Sequence, residues 1–302
     1  MAIRTVAIMS PGDMGHAIGN TLRHGGLRVI TCLAGRSART AGLAAEAGIE
    51  AVPDYETLVR EADMLLSVLA PAQARNLAER VAAALRATGA DLLFVECNAI
   101  APQTVREIGQ VITAAGARFV DAGIIGNPPR PGDTRNKLYV SGEHAAEVLA
   151  LNQHGLAVRV VGPEIGQASG LKMCYAALTK GLNALGTELL TAGAMLGLTD
   201  ALRAELEASQ PNLLRWLERQ IPSMPPKAYR WVGEMEEIAA TFGHVGLTPL
   251  ILQGAADLFR FVESTPLGAE TPEVRTRGTT LEAVVDELAA ALRARSATAP
   301  AG

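Results

Sequence analysis

The sequence predicts an α/β protein in which a doubly wound parallel sheet is followed by an all-helical domain. Two observations lead to this prediction. Up to residue 162, short apolar runs alternate with segments of helical periodicity, whereas the rest of the chain has helical periodicity alone. Continuous apolar runs are typical of strands that are buried on both faces, and helices between such strands indicate parallel pairing.

Apolar runs of strand length, bounded by glycine, proline or polar residues, mark the strands of the first domain. Helices are predicted between them, among them 13–24, 72–86 and 102–115. We therefore place this domain at residues 1–162. The predicted strands are 5–9, 27–33, 63–69, 91–96, 117–125, 137–142 and 157–161.

The second predicted domain, residues 163–302, begins with one long helix. Residues 163–196 keep a single helical period, and a helix of that length extends for about 50 Å at about 1.5 Å per residue, which is typical of a bridge between domains. Proline-rich breaks at 221–226 and 264–272 separate the later helices. These helices are predicted at 200–208, 212–220, 227–242, 249–263 and 281–295.

Composition excludes several classes of protein. Apolar residues make up 49% of the chain and charged residues 19%, as in globular proteins, and a net charge of −4 argues against nucleic-acid binding. Cys32, Cys97 and Cys174 lack the spacing of a metal site, so we predict no bound metal and expect reduced thiols in a cytoplasmic protein. The first strand begins close to Met1 and the apolar runs are short, so we expect neither a signal peptide nor a membrane partner.

The loop after the first predicted strand resembles the G-x-G-x-x-G fingerprint of Rossmann-type dinucleotide-binding domains. Residues 10–15 are SPGDMG, so Ser10 replaces the first glycine and Gly12 and Gly15 keep the other two positions. Pro11 fixes its own φ and favours an extended Ser10, which allows a proline-stabilised turn. The helix that follows directs its N-terminal N–H groups toward a pyrophosphate. An ordinary strand-to-helix turn is the alternative. The predicted cofactor contacts here are Ser10, Pro11, Gly12, Asp13, Met14 and Gly15.

The segment after the second predicted strand favours NADP(H) over NAD(H). Dinucleotide-binding domains that prefer NAD place an acidic residue there on the ribose hydroxyls, but residues 27–45 contain no Asp or Glu. Instead, Arg36 and Arg39 flank Ser37. A guanidinium can bind a 2′-phosphate in bidentate fashion, and a hydroxyl can donate to it. The alternative is that Ser37 is the N-cap of a helix with solvated arginines.

Five short segments resemble, in the same order, the motifs of the β-hydroxyacid dehydrogenase superfamily, which includes 3-hydroxyisobutyrate and 6-phosphogluconate dehydrogenases. The resemblance covers most of the chain, and RWVGEMEEIAATF at 230–242 is similar to a less-studied subgroup with its own helical C-terminal domain. It implies hydride transfer with a nicotinamide cofactor, and a homodimer with the helical domains at the interface. The segments are SPGDMG (10–15), GRS (35–37), ECNAIAP (96–102), DAGIIGN (121–127) and GQASGLK (166–172).

The same resemblance implies that Lys172 is the catalytic residue. In carbonyl reduction it would act as the general acid, and in alcohol oxidation as the general base. The asparagine that the superfamily places four residues later is Ala176 here, and the serine of its DAPVSGG motif is Ile125. The usual carboxylate-binding set is therefore not retained, which argues against a simple 3-hydroxy acid as substrate.

Further candidate substrate contacts share the predicted helix with Lys172. At about 100° per residue, Tyr175, Thr179 and Asn183 lie within about 60° of Lys172, so that an ammonium, a phenol, a hydroxyl and an amide share one face. The alternative is that this face only contacts polar loops.

The carboxyl ends of the predicted strands supply the remaining candidates, because open α/β sheets bind ligands at that edge. Asn98 follows the strand at 91–96 and is a candidate for the nicotinamide ribose or the substrate, with a turn residue as the alternative. Leu69, the last residue of the strand at 63–69, and Ala70 directly after it are candidate cofactor contacts. Gly123 and Gly126 would let backbone N–H groups approach the substrate.

These patterns predict an NADP(H)-dependent oxidoreductase that transfers a hydride between the nicotinamide and a small carbonyl or hydroxy compound. The helical domain is expected to bind substrate and to form the dimer. Two alternatives stay open. One is an imine (C=N) reductase of the same fold, against which Lys172 argues because similar imine reductases usually lack that lysine. The other is a non-catalytic dinucleotide-binding protein, which the altered fingerprint suggests.

Overall fold

The computed structural model describes residues 3–130, 132, 136–271 and 274–298, and the chain divides into two compact units. The first unit is Met1–Cys174 and the second is Tyr175–Gly302. The division lies inside a long helix, α6, which spans Gln167–Met195. The sequence places the boundary earlier, at 162/163, ahead of that helix.

Within its described residues, the first unit forms a sheet of eight strands. The strands are β1 Thr5–Met9, β2 Arg28–Cys32, β3 Glu50–Val52, β4 Met64–Ser67, β5 Leu93–Glu96, β6 Arg118–Ile125, β7 Lys137–Ser141 and β8 Val158–Gly162. Their order in the sheet is β3-β2-β1-β4-β5-β6-β7-β8. Neighbouring strands are parallel, except that β6 and β7 are antiparallel.

Helices cover both faces of this sheet, as a doubly wound fold requires. Side chains alternate along β1, so that Val6 and Ile8 pack with Leu22 on one face, while Ala7 and Met9 belong to the core on the other. The helices are α1 Asp13–His24, α2 Ala38–Glu46, α3 Tyr55–Glu61, α4 Ala74–Thr88 and α5 Pro102–Thr113, with 3₁₀ segments at Pro71–Gln73 and Ala145–His154. The predicted α/β class is confirmed.

Two features of the sheet differ from the prediction. The sequence gives no signal for β3, because this strand has three residues and two of them are exposed. β7 runs antiparallel to β6, since the connection between Ile125 and Lys137 is shorter than the dozen or more residues that a parallel crossover requires. An apolar run indicates a strand but carries no information about its direction.

Asp121 of β6 caps the start of α6. Its Oδ2 accepts the backbone N–H groups of Gly166, Ala168 and Ser169 at 2.9, 3.0 and 3.1 Å. The same oxygen accepts the hydroxyl groups of Ser141 and Ser169 at 3.0 and 3.2 Å. Burial raises the pKa of Asp121, and these donors oppose that rise. A buried carboxylate therefore satisfies the N–H groups that a helix N-terminus leaves without partners.

The second unit is built from helices. Trp231 meets Phe259 edge-on at a centroid distance of 5.3 Å where α9 packs on α10. Arg203 of α7 forms ion pairs with Glu218 of α8 and Glu282 of α11, at 2.9 and 2.7 Å. Of the helices described in either unit, none has the length and apolar character that crossing a membrane requires. These helices are α7 Thr199–Ser209, α8 Pro211–Gln220, α9 Ala228–His244, α10 Leu250–Glu263 and α11 Leu281–Thr298, with 3₁₀ turns at Ile221–Ser223 and Pro225–Lys227.

Candidate functional site

The loop between β1 and α1 contains two glycines that are needed for different reasons. Gly12 is the N-cap of α1, and a Cβ atom built on it would meet no atom within 4 Å. A Cβ atom on Gly15 would lie 2.1 Å from the carbonyl oxygen of Ser10 and 3.2 Å from Cγ2 of Ile8. Gly15 is therefore required for the packing of α1 on the loop, whereas the space beside Gly12 is open to a ligand.

Ser10 occupies the first glycine position without the backbone conformation that glycine favours. Among the described residues only glycines have a positive φ, so Ser10 lies outside the left-handed region. The carbonyl oxygen of Ser10 accepts the N–H of Gly12 at 2.8 Å, and Pro11 is buried in the turn. The turn thus forms without its first glycine. Met14, half-buried on α1, lies with its Sδ 3.9 Å from Nδ2 of Asn136.

The two arginines after β2 have different surroundings. Arg39 of α2 donates to Oδ1 of Asp13 at 2.6 Å, so the acidic residue of the loop is paired with a cation. Asp13 is the first residue of α1 and does not cap it, because Gly12 holds the N-cap position. The half-buried side chain of Arg36 forms no hydrogen bond or ion pair with the described residues. Arg36 is therefore the better placed of the two to bind an anionic ligand group.

Ser37 is the N-cap of α2, as in the alternative interpretation of this segment. Its Oγ accepts the N–H of Thr40 at 3.2 Å, and the two hydroxyl oxygens are 3.1 Å apart. Gly35, two residues earlier, has a φ of 75°, a conformation that favours glycine. The end of β2 is thus a well-defined turn that presents Arg36.

A buried network joins the carboxyl ends of β4 and β5. Oδ1 of Asn98 accepts the N–H of Leu69 at 2.6 Å, and Nδ2 of Asn98 donates to Oγ of Ser67 at 2.8 Å. Ser67 donates to Oε2 of Glu96 at 3.0 Å, and Oε1 of Glu96 accepts the N–H of Asn98 at 2.9 Å. Asn98 is buried, so its amide holds two strand ends in register. Ala70, which follows, is exposed.

Glu96 is a buried acid at this edge of the sheet that the sequence analysis did not single out. Its side chain is fully buried, and burial raises its pKa to about 8. Asp121, which lies opposite Glu96 on β6, raises this pKa further, while the hydrogen bonds from Asn98 and Ser67 lower it. The available signal was an acidic residue at the end of an otherwise apolar strand.

Lys172, in the part of α6 that belongs to the first unit, lies against the end of β6. Its Nζ donates to the carbonyl oxygen of Ile124 at 2.6 Å. A Cβ atom on Gly123 would lie 2.9 Å from Cβ of Lys172 and 2.7 Å from the carbonyl oxygen of Ala168. Gly123 therefore lets α6 pack closely on the strand, a reason for glycine that the sequence did not suggest. Gly126 is exposed with a φ of 127°.

The other candidates on α6 belong to the second unit and differ in their surroundings. Tyr175 is 49% exposed, and the hydroxyl of Thr179 donates to the carbonyl oxygen of Tyr175 at 3.3 Å. Asn183 is 1% exposed, and neither its amide oxygen nor its amide nitrogen has a hydrogen-bond partner among the described residues. Lys180, also buried, forms an ion pair with Glu234 of α9.

Two family models match the chain. Residues 5–150 match the NAD-binding domain of 6-phosphogluconate dehydrogenase, and residues 194–262 match a domain of unknown function, DUF1932. The first unit thus matches, over most of its length, the NAD-binding domains of the 6-phosphogluconate dehydrogenase family. The resemblance to the β-hydroxyacid dehydrogenase superfamily is thereby confirmed, and the helices of the second unit carry the DUF1932 match.

Related proteins extend over most of the chain. An uncharacterized 28.5 kDa protein from Methanothermus fervidus is 28% identical over 241 residues, which are 78% of this chain and 90% of that protein. A conserved protein of unknown function, described as structurally similar to 3-hydroxyacid dehydrogenases, is 29% identical with a TM-score of 0.66, over 86% of this chain and 96% of that one.

Two enzymes share the fold at lower identity. A 3-hydroxyisobutyrate dehydrogenase from Mycobacterium tuberculosis has a TM-score of 0.68 at 19% identity, over 95% of this chain and 99% of that one. An imine reductase from Myxococcus stipitatus has a TM-score of 0.55 at 18% identity, over 95% of this chain and 99% of that one. These two similarities show the fold alone.

The residues of this NAD-binding domain fit a nicotinamide dinucleotide. The N-terminus of α1 has no side-chain cap, so its first N–H groups can receive a pyrophosphate beside the open space at Gly12. The Arg39–Asp13 pair removes the repulsion that an isolated carboxylate would exert on that anion. Within the described residues, no cluster of His, Cys, Asp and Glu side chains could hold a metal ion.

The two loop glycines yield a matched pair of variants. Gly12→Ala places its methyl group in open space at a φ of −82°, so we expect an unchanged Tm in the absence of ligand. We also expect loss of the stabilisation that a bound nicotinamide dinucleotide would give the wild type, about 2.7 kcal/mol at 100 times Kd. Gly15→Ala collides with the backbone of Ser10, so we expect a loss of about 1–3 kcal/mol of stability without any ligand.

Thermal unfolding with and without NADPH measures both effects. Gly42→Ala is the control, because Gly42 lies in α2 with open space around it, and alanine there should leave the NADPH effect intact. Retention of the full NADPH effect by Gly12→Ala would show that the ligand does not approach this glycine.

The raised pKa of Glu96 makes stability depend on pH. Between its ordinary value of 4.5 and about 8, the folded protein keeps a proton that the unfolded chain has lost. The stability contributed by this group is complete below pH 4.5 and declines as the pH rises through about 8. Glu96→Gln cannot ionise, so we expect its stability relative to wild type to increase between pH 5 and pH 9, by about 1.4 kcal/mol for each pH unit below about 8.

Urea denaturation at the two pH values measures this difference. Glu79→Gln, on the exposed side of α4, serves as the control and should follow the wild type. A constant difference between Glu96→Gln and wild type across this range would contradict the assignment.

Proposed function

We propose that this protein is a cytoplasmic, NADP(H)-dependent oxidoreductase that acts on a small carbonyl or hydroxy compound, with Lys172 as general acid and base. The observation that supports it best is the placement of Lys172. Its ammonium is held at the end of β6 by the carbonyl oxygen of Ile124, in a unit that matches a family of NAD-binding domains.

The cofactor choice rests on Arg36. The side chain lies directly after β2, where domains of this type contact the adenosine ribose, and residues 27–45 supply no acidic residue for ribose hydroxyls. With Arg39 paired to Asp13 and Ser37 capping α2, Arg36 is the group left to bind a 2′-phosphate. The contacts proposed for the rest of the cofactor are the loop residues 10–15 and the segment Leu69, Ala70 and Asn98.

The chemistry follows from the lysine. When bound, the cofactor supplies or accepts the hydride. Lys172 donates a proton from Nζ to the carbonyl oxygen in reduction, and it accepts the hydroxyl proton in oxidation. An ammonium has three N–H groups, and the carbonyl oxygen of Ile124 takes one of them, which fixes the direction of the others. We propose Gly123, Gly126, Tyr175, Thr179 and Asn183 as substrate contacts.

Arg36→Ala tests the choice of cofactor. A hydrogen bond to a charged group contributes about 1.5–3 kcal/mol, so we expect the Kd for NADPH to rise by about 10- to 150-fold. The Kd for NADH should stay within about threefold of the wild-type value, since NADH has no 2′-phosphate. Titration of each nucleotide by isothermal calorimetry measures both.

Arg28→Ala is the matched control for Arg36→Ala, because Arg28 lies at the opposite end of β2 and pairs with Glu50 and Glu61. It should change neither Kd. A wild type that binds NADH more tightly than NADPH would contradict the proposed cofactor and leave the oxidoreductase assignment standing.

Lys172→Met tests the proton transfer. General acid–base groups contribute about 10²–10⁴-fold, so we expect kcat/KM for carbonyl reduction to fall by that factor while the NADPH-induced rise in Tm persists. A panel of small ketones and aldehydes, followed by NADPH absorbance, measures this. Lys137→Met, on β7 of the same unit, is the matched control.

Two other outcomes of the same assay separate the alternatives. Reduction of cyclic imines that survives in Lys172→Met while ketone reduction is lost would favour an imine reductase. NADPH binding without turnover of any carbonyl or imine by the wild type would favour a non-catalytic dinucleotide-binding protein.

We also propose a homodimer formed through the second unit. Leu178 and Leu185 of α6 and Leu250 and Ile251 of α10 line an open apolar groove, and Ile251 is 75% exposed. Contiguous exposed apolar surface of this kind is typical of subunit contacts, and the superfamily resemblance also implies a dimer. Sedimentation equilibrium measures this directly, and a monomer at micromolar concentration would contradict it.

A further inference from the structure

A line of polar side chains runs along the buried face of α6 in the second unit. Lys180, Asn183, Thr187 and Thr191 follow one another at spacings of three or four residues, and each is nine-tenths or more buried. Two of them are satisfied, because Lys180 pairs with Glu234 and the hydroxyl of Thr187 donates to the carbonyl oxygen of Asn183 at 2.8 Å. The hydroxyl of Thr191 has no partner among the described residues, and Asn183 is the member that leaves both polar atoms of its side chain without one.

Neither end of the Asn183 amide has a hydrogen-bond partner among the described residues, although the side chain is 1% exposed. Buried amides nearly always have partners, because burying an amide without them costs the hydrogen bonds that it made to water. An apolar side chain at this position would carry no such cost, as the buried Ala184 beside it shows. The missing hydrogen-bond partners of this buried amide are therefore expected to come from a ligand.

The charges near Asn183 balance. Lys180, one turn away on α6, is compensated by its ion pair with Glu234 of α9. The ring of Trp231 also packs against this lysine, with its centroid 5.5 Å from Nζ of Lys180. A charged ligand group would gain little from a balanced set of charges and would lose its hydration.

We propose that Asn183, beside the Lys180–Glu234 pair, forms a recognition site for an uncharged group that both donates and accepts hydrogen bonds. A primary carboxamide fits best, because its C=O and N–H can pair with the N–H and C=O of the Asn183 amide; a hydroxyl forms one of these bonds. Assigning this group to the substrate rests on the proposed function. It makes the substrate a neutral, carboxamide- or hydroxyl-bearing carbonyl compound rather than a keto acid.

The first test measures binding without turnover. Propionamide, propionate and propylammonium share one carbon skeleton and differ in charge, and saturation-transfer NMR on the full-length protein with NADP⁺ detects weak binding of each. We expect the strongest signal from propionamide and its loss in Asn183→Leu. Thr187→Val, one turn further along the same face, is the matched control and should keep it.

Asn183→Asp supplies a second readout, because it introduces a negative charge at the same place. We expect this variant to lose the binding signal of propionamide and to gain one for propylammonium. A purely structural role of Asn183 would not produce this exchange. Asn183→Leu should have a Tm equal to or above that of wild type, since no internal hydrogen bond is lost.

Two results would overturn the proposal. One is a propionate signal stronger than that of propionamide in the wild type. The other is a fall in Tm for Asn183→Leu with probe binding unchanged, which would show that the amide serves the fold through a bound water. Failure of the proposed function would look different, because NADPH-dependent turnover would be absent while the NMR preferences stayed as stated.

Discussion

The capping of α6 by Asp121 is the interaction on which the rest of the proposed site depends. One carboxylate oxygen receives five donors, three of them backbone N–H groups at the start of the helix. Lys172 lies on the second turn from that cap, and Gly123, two residues after Asp121 on β6, makes room for this turn. The next residue, Ile124, accepts the lysine ammonium. A single strand therefore both anchors the helix and orients the lysine that we propose as the catalytic residue.

Two acidic residues can share this edge of the sheet because their hydrogen bonds differ. Glu96 and Asp121 lie opposite each other on adjacent strands, where two carboxylates repel. Asp121 accepts five hydrogen bonds on one oxygen, three of them from backbone N–H groups, whereas burial raises the pKa of Glu96 to about 8. Asp121 thus caps the helix terminus, and Glu96 belongs to the Ser67–Asn98 network that joins the strand ends.

The periodicity of apolar residues was enough to predict the class, most strands and every helix named from it, because burial on a sheet or helix face dictates those patterns. It could not predict β3, which is short and exposed, or the direction of β7. Of the site, the sequence pointed to the phosphate loop and to Lys172. It could not show that Asp13 pairs with Arg39, or that Gly123 is a packing contact for Lys172. Those facts depend on which elements meet in space, and a single sequence does not record them.

The altered phosphate loop shows what its fingerprint requires physically. At the first position the chain needs a tight turn, and Ser10 followed by Pro11 forms it without the positive φ that favours glycine. At the third position the residue must lack a side chain, because the carbonyl oxygen of Ser10 occupies the place of a Cβ atom on Gly15. At the second position, Gly12, no surrounding atom of the protein excludes a side chain, so packing does not require glycine there. A glycine that packing does not require, at the N-terminus of a helix, is explained by an approaching ligand. The open space beside Gly12 is therefore stronger support for dinucleotide binding than the number of glycines in the loop.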